Sequence, residues 1–412
     1  MISASPNLYR SEGAARSIDP QIVERALRQA LTVERRKLPA ILTLGHLAHL
    51  TGINYAYLRG IVERSADPYT PFRIGKRKGG SRLISAPEPL LLSLQRWIAR
   101  NVLNQIEVHH ASCAYAADCS PAKCASRHLG AAWLIKVDIH DFFESITERA
   151  AWRVFRSAGY QPLVSLELAR LCTRQPHGDE AYKSKWHVRD AESHSIRLYR
   201  TRTLGHLPQG APTSPMLANL ASFRLDEALE ALGDRYGMVY TRYSDDIAFS
   251  TGGAFDRKRA GRLIVEVERI FRSFGHALHR KKISVAPPGA RKVVLGLLVH
   301  GSDLRLTDPY RRRLADHVRG VERFGLSAHK AHRHFASLWG MVRHIQGLLG
   351  YAESVEGKAA HAAMRARLEA ALARDGWPDC AQPEAVMPAR PTPAAEGRPV
   401  DPPHQDPAAD QP

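Results

Sequence analysis

Four residues constrain this chain more than any others: Tyr243-Ser244-Asp245-Asp246, set between Val239-Tyr240 and Ile247-Ala248-Phe249. The flanking residues are β-branched and aromatic, which favours a short strand on each side. Residues 238–250 therefore read as two strands around a turn. That places two adjacent carboxylates at the tip of a hairpin. Like charges so placed repel, and burying them without a cation is costly. A pair of divalent ions would remove the repulsion and supply a reaction. In a two-metal centre with ions roughly 3.5–4 Å apart, one ion activates an attacking oxygen and the other holds the leaving group. The competing reading is a solvated turn, where Asp is common.

A third acid strengthens the first reading. Residues 133–139 (WLIKVDI) form a short apolar run suited to a buried strand, and Asp138 sits where the run stops. Three carboxylates from two strand segments make a cage for a hard cation, to which the Ile139 carbonyl could add an oxygen. The alternative for Asp138 is a helix N-cap before Phe142.

The remainder is read around that centre. Residues 1–41 are a polar extension with one helix expected over 20–37. Residues 42–64 suggest two short helices broken at Gly52, a packing pair or a helix-turn-helix. Residues 71–87 read as a hairpin turning at Gly79-Gly80, followed by a helix over 89–106. Helices are expected over 149–158, 162–172, 213–232 and 256–274. A second hairpin is expected over 291–306, turning at Gly301-Ser302, and helices over 308–373. Residues 174–203 read as a loop or insertion. From Gly376 onward lie ten of the 26 prolines and few large apolar residues, the composition of a disordered tail. The expected class is α+β, with a core over 42–306, a helical region over 307–374 and a tail over 375–412.

Charge narrows the partner. The chain carries +18, yet the tail holds seven acids against two bases, so the body is more basic still. Such an excess favours a polyanion, and nucleic acid is the commonest. The five cysteines form no C-x-x-C pair, so a zinc site built on them is not expected, and reduced thiols in a cytoplasmic protein are. No stretch approaches the roughly 20 apolar residues of a membrane span.

Three segments resemble a known family. Lys136-Val137-Asp138-Ile139-His140-Asp141-Phe142-Phe143 looks like motif A of reverse transcriptases. Leu207-Pro208-Gln209-Gly210-Ala211-Pro212-Thr213-Ser214-Pro215 looks like motif B, and Tyr243-Ser244-Asp245-Asp246 like the Y-x-D-D of motif C. Order and spacing match over about 42–372. The resemblance implies a right-hand polymerase fold of fingers, palm (antiparallel sheet plus helices) and helical thumb. It implies RNA-directed DNA synthesis with two Mg2+ ions, or Mn2+, held by Asp138, Asp245 and Asp246 with the Ile139 carbonyl. It implies that Phe143 is the gate excluding a 2′-hydroxyl, and that Gln209 and Gly210 lie under the nascent base pair. Lys76 and Arg82 resemble the triphosphate contacts of the fingers hairpin. His279-Arg280-Lys281-Lys282 resembles motif D, with Lys282 as the acid protonating pyrophosphate and His279 where Asn is usual. Residues 293–299 resemble the primer grip. Arg311, Arg312, Arg313, Lys330 and Arg333 would follow the template–primer backbone.

Within the family the chain resembles bacterial retron enzymes. The pointers are compactness, Arg242 before Tyr243, the segment from Pro87 to Gln95-Arg96-Trp97-Ile98, and no evident RNase H, integrase or maturase segment. Two retron signatures are altered: Asn-Ala-x-x-His appears as Cys124-Ala125-Ser126-Arg127-His128, and Val-Thr-Gly as Val294-Leu295-Gly296. The resemblance implies as partners a structured non-coding RNA serving as template and primer, dNTPs, a DNA product and an effector protein in anti-phage defence. Another defence-associated reverse transcriptase, or a non-catalytic RNA-binding regulator on the same fold, stays open.

Overall fold

A computed structural model describes residues 6–75, 80–176, 199, 201 and 203–377. The strands, in chain order, are β1 (Tyr69–Gly75), β2 (Ser81–Pro87), β3 (Trp133–His140), β4 (Val239–Tyr243), β5 (Asp246–Thr251), β6 (Ala277–Leu278), β7 (Ser284–Ala286), β8 (Val293–Val294), β9 (Leu297–Leu298) and β10 (Arg305–Leu306). They make three sheets: the β1–β2 hairpin, a five-stranded sheet ordered β4-β5-β3-β6 with β7 also on β3, and a small β10-β9-β8 sheet.

The apolar run WLIKVDIH becomes β3, the central strand. It pairs antiparallel with β5 on one side and with β6 and β7 on the other. Helices cover its buried side chains. The core joins Ile135 and Val137 of β3 to Phe249 of β5, to Leu217, Leu225 and Leu229 of the helices Ser214–Ala221 and Phe223–Tyr236, and to Leu263 and Phe271 of Arg257–Ser273. Burying a residue of that kind contributes about 1.5–3 kcal/mol, so the sheet is fixed before any polar contact is counted. Leu44, Leu47, Leu58 and Ile61 from the helices Leu44–Thr51 and Tyr55–Val62 join the same core, which makes that pair a packing unit. Gly52, at φ +67, ends the first of them, as glycine does at a left-handed helix cap.

Two compact units form. The first runs through Arg311 and includes Ala352–Gly357; the second is Arg312–Tyr351 with the chain from Lys358 onward. The return of Ala352–Gly357 to the first unit has a visible cause: Glu356 accepts from the Leu306 N–H at 2.9 Å and pairs with Arg311. In the second unit the helix Asp308–His332 is broken at Gly325, whose φ of +78 is non-helical. His329 then folds back onto His317 at 3.0 Å.

Several sequence expectations change. The N-terminal extension holds two helices, Pro6–Ala15 and Pro20–Glu34. The first has little apolar pattern to read; it docks through Gly13, where a Cβ would come within 2.7 Å of Val23. The helix expected over 89–106 ends at Asn101, with a 3-10 turn at Leu103–Gln105. The helix expected over 213–232 is two, parted at Ser222. The hairpin expected over 291–306 is three strands, and its tight turn is Leu295-Gly296, both at positive φ. Gly301-Ser302 falls in the second connection. Residues 177–198, Lys76, Gly79 and the tail past Trp377 lie outside the described residues.

Candidate active site

Register brings the acids together. In the β3–β5 ladder Asp138 is directly opposite Asp246, and the Ile139 N–H donates to the Asp245 carbonyl at 3.2 Å. Tyr243 pairs with Asp246 across the turn. Ser244 sits there at φ +60, a left-handed position that lets two residues reverse the chain. Asp138 therefore belongs to the strand, while Asp141 precedes the short helix Phe142–Ser145.

The electrostatics call for positive charge. Asp138 is 3% exposed, and its Oδ1 has no hydrogen-bond partner. Its Oδ2 accepts from Lys282 Nζ at 2.6 Å. Burial pushes the Asp138 carboxyl above the ordinary range; the Lys282 hydrogen bond opposes this, and Asp245 raises it again. Asp246 is open to solvent on one side, yet crowding on its inner side and then Asp245 and Asp138 push it upward too. Burial pulls Lys282 down, but the hydrogen bond and charge of Asp138, with Asp245 and Asp246, outweigh it and raise it. An orphaned buried carboxylate oxygen among three acids fits hard divalent cations, which take oxygen ligands.

The turn rests on a buried ion pair that sequence reading missed. Arg242 and Asp226 are both 0% exposed. Arg242 donates from Nε and Nη2 to the two Asp226 oxygens, each at 2.7 Å, and from Nη1 to the Ser244 carbonyl at 3.3 Å. Asn219 Oδ1 (3.1 Å), Ser112 Oγ (3.2 Å) and Tyr240, whose hydroxyl donates to Asp226 at 2.7 Å, complete the network. Arg242 stood out beside Tyr243, and its partner carried one signal: Asp226 beside Leu225 and Leu229, an acid on the apolar side of its helix. From the other side, His128 joins the two strands: its ring nitrogens lie 2.7 Å from Thr241 Oγ1 on β4 and 2.7 Å from Ser250 Oγ on β5. Cys124 Sγ also reaches Thr241. The altered Cys124-to-His128 signature thus braces the β4–β5 hairpin.

The remaining candidates each have their own surroundings. Phe143 is half-buried, its ring 6.5 Å from that of Tyr115, whose hydroxyl donates to Ser244 Oγ at 2.9 Å. Nothing in the sequence pointed to Tyr115. Gly210, at φ +112, is tied to the fingers hairpin: a Cβ would lie 2.9 Å from Ile84 Cγ2 and 3.0 Å from the Ser85 carbonyl. The Gln209 carbonyl accepts from the Ser85 N–H at 2.7 Å. Glycine is needed there for backbone packing against β2, whatever lies above it. Arg82 is exposed on β2. His279 donates its N–H to the Asp138 carbonyl at 2.9 Å and stacks 5.2 Å from His140. Of the thumb cations, Arg311 lies in the first unit, paired with Glu356; Arg312, Arg313, Lys330 and Arg333 lie in the second.

Comparison with known proteins gives this geometry a family. Residues 74–297 match the reverse transcriptase (RNA-dependent DNA polymerase) family, more than half of the chain. The retron Ec73 reverse transcriptase of Escherichia coli is 30% identical over 58% of this chain and 71% of its own length. The chain belongs to the retron-type reverse transcriptases. The retron Mx162 reverse transcriptase of Myxococcus xanthus is 34% identical over 62% of this chain, which spans only 53% of that protein. The retron Ec86 reverse transcriptase of Escherichia coli is 27% identical over 78% of this chain and 87% of its own length. The family uses divalent metals, in keeping with the acids at the β3–β5 ladder. Among the described residues of this retron-type chain, no helix is long and apolar enough to cross a membrane.

Proposed function

We propose that this chain copies a structured RNA into DNA by nucleotidyl transfer at Asp138, Asp245 and Asp246. The observation that carries the reading is the direct cross-strand pairing of Asp138 with Asp246, beside a buried and unpartnered Asp138 Oδ1. When bound, two Mg2+ ions, or Mn2+, would activate the primer 3′-oxygen and stabilise the departing pyrophosphate. Asp138, Asp245 and Asp246 hold that charge in place, with the Ile139 carbonyl as a further oxygen. Lys282 keeps its proton at Nζ beside Asp138 Oδ2 and delivers it to the leaving group. Phe143, walled by Tyr115, fills the space a 2′-hydroxyl would need and so selects dNTPs. Arg82 and Lys76 take the triphosphate, Arg82 as a guanidinium fork. Gln209 and Gly210 hold the floor of the pocket against β2.

The +18 charge supports an RNA partner. Arg333 of the second unit lines a cavity of about 940 Å3 with Arg323 and Phe324; Asp316 and Glu322 also line it, paired with Arg319 and Arg367, so arginines outnumber acids there, which suits nucleic acid. The partner is a cognate non-coding RNA serving as template and primer in the cytoplasm, and the product is RNA-linked DNA acting with an effector protein in phage defence. Primer extension on an RNA template with Mg2+ and dNTPs tests the chemistry. Asp245→Asn should slow synthesis roughly a thousandfold, the equivalent of about 4 kcal/mol of lost charge stabilisation. Wild-type protein no faster than the variant would favour an RNA-binding regulator. Sequencing nucleic acid that co-purifies with the protein tests the rest: a short branched RNA–DNA species is expected, whereas template-free or repetitive DNA would point to another defence enzyme.

A further inference from the structure

The first unit carries a further group of metal-ligating side chains, His109, His110 and Glu230. A turn closed by the Ser112 N–H on the His109 carbonyl (2.8 Å) brings the rings of His109 and His110 to 4.5 Å, tilted by 30°. Glu230, on the helix Phe223–Tyr236, reaches both: Oε1 is 2.7 Å from His110 Nε2 and Oε2 is 3.6 Å from His109 Nε2. One ligand atom from each residue lies within 4.8 Å of the other two. Bonds of about 2.0–2.1 Å in a tetrahedral zinc site place neighbouring ligands roughly 3.3 Å apart, between the two distances observed.

We propose that His109, His110 and Glu230 form a site for a transition-metal ion of the Zn2+ class, with water as fourth ligand. Two imidazoles and one carboxylate match zinc and disfavour Mg2+, which demands octahedral oxygen ligands. The chain would then separate two metals by donor chemistry: oxygen only at the aspartates, nitrogen and oxygen here. The site is partly preformed. His109 is 6% exposed and packed edge-on against Phe223 at 5.2 Å, while His110 faces solvent and leaves an entry path. Among the described residues the ion-pair partners of Glu230 are these two imidazoles, with no arginine or lysine competing for it. One contact is given up. The Ala111 N–H now donates to His109 Nδ1 at 3.3 Å, and ligation through Nε2 moves the ring proton to Nδ1, releasing that long hydrogen bond.

The location gives the ion work to do. The residues just after His110 hydrogen-bond along the outer edge of β4, where the Arg242 N–H donates to the Ala111 carbonyl (2.9 Å) and the Cys113 N–H to the Arg242 carbonyl (2.8 Å). The same segment supplies Ser112 to Arg242 and Tyr115 to Ser244. Glu230 lies one helical turn beyond Asp226, the buried partner of Arg242. An ion joining His109 and His110 to Glu230 therefore fastens together the two elements under the catalytic turn. These three residues do not contact the aspartates, and the inference stands whether or not the chain polymerises.

The test is zinc binding by the full-length protein after chelator treatment, in excess Mg2+, read by elemental analysis after dialysis and by thermal melting. Wild-type protein should retain one equivalent of zinc and melt higher for it. His110→Ala and Glu230→Gln should lose both the equivalent and the shift, while melting without zinc like the wild type. Asp245→Asn should keep the equivalent. No zinc retained by the wild type would overturn the site, as would full retention by His110→Ala. Loss of zinc in Asp245→Asn with retention in both surface variants would place the ion at the aspartates and also overturn it.

Discussion

Arg242 and Asp226 carry opposite charges and are both fully buried, and the turn at Ser244 hangs from one of them. Taking two charges out of water is costly, and the pair is tolerable because every arm of the guanidinium is engaged. Removing one partner leaves the other buried and unmatched. Asp226→Asn should therefore cost about 3–5 kcal/mol, read as a lower urea midpoint, and should depress primer extension further by loosening the Ser244 carbonyl. At this scale legibility was uneven, for a physical reason. Asp138, Asp245 and Asp246 could be read because each interrupts an apolar strand pattern, and a local violation shows in one dimension. Arg242, Asp226, Asn219 and Ser112 form one network across more than 100 positions, and nothing local marks them as partners. Tyr115 and His128 belong to the same class: their meaning lies in Ser244, Thr241 and Ser250, which the chain brings near only on folding.

Among the elements, strands with strong apolar runs and helices with an apolar stripe were legible to within a few residues. Short or weakly patterned ones were not. The helix Pro6–Ala15 lacks an apolar face because it docks through a glycine, and the break at Ser222 falls inside a continuous apolar stripe that carries no mark of it. The β8–β9 turn escaped notice because its first residue is the wrong type for it. Two-residue turns with both φ values positive favour Asn-Gly, and this one holds Leu295 at φ +49 before Gly296 at +83. A left-handed leucine costs roughly 1–2 kcal/mol, which asparagine largely avoids. Leu295→Asn should raise stability by about 1 kcal/mol, measured as a higher melting temperature.

Across the whole molecule, three buried histidines set a common acid limit. Burial holds His128 and His276 in the first unit and His317 in the second down at about 4, from an ordinary 6.5; Arg127, Arg242 and His329 respectively add to the effect. These rings are neutral in the fold and become charged more readily once the chain opens. Their contribution is complete above pH about 6.5 and is lost as the pH falls toward 4, at about 1.4 kcal/mol per pH unit for each ring. Denaturant titrations between pH 7 and 4.5 should show both units weakening together, and His128→Asn should flatten the slope of the first unit alone. Lys282 adds something of a different kind. Its ammonium already rests against Asp138, so the chain supplies its own counter-charge to the buried acid. Withholding magnesium should therefore leave the melting temperature of the protein where it was, because a resident ammonium already offsets the buried carboxylate.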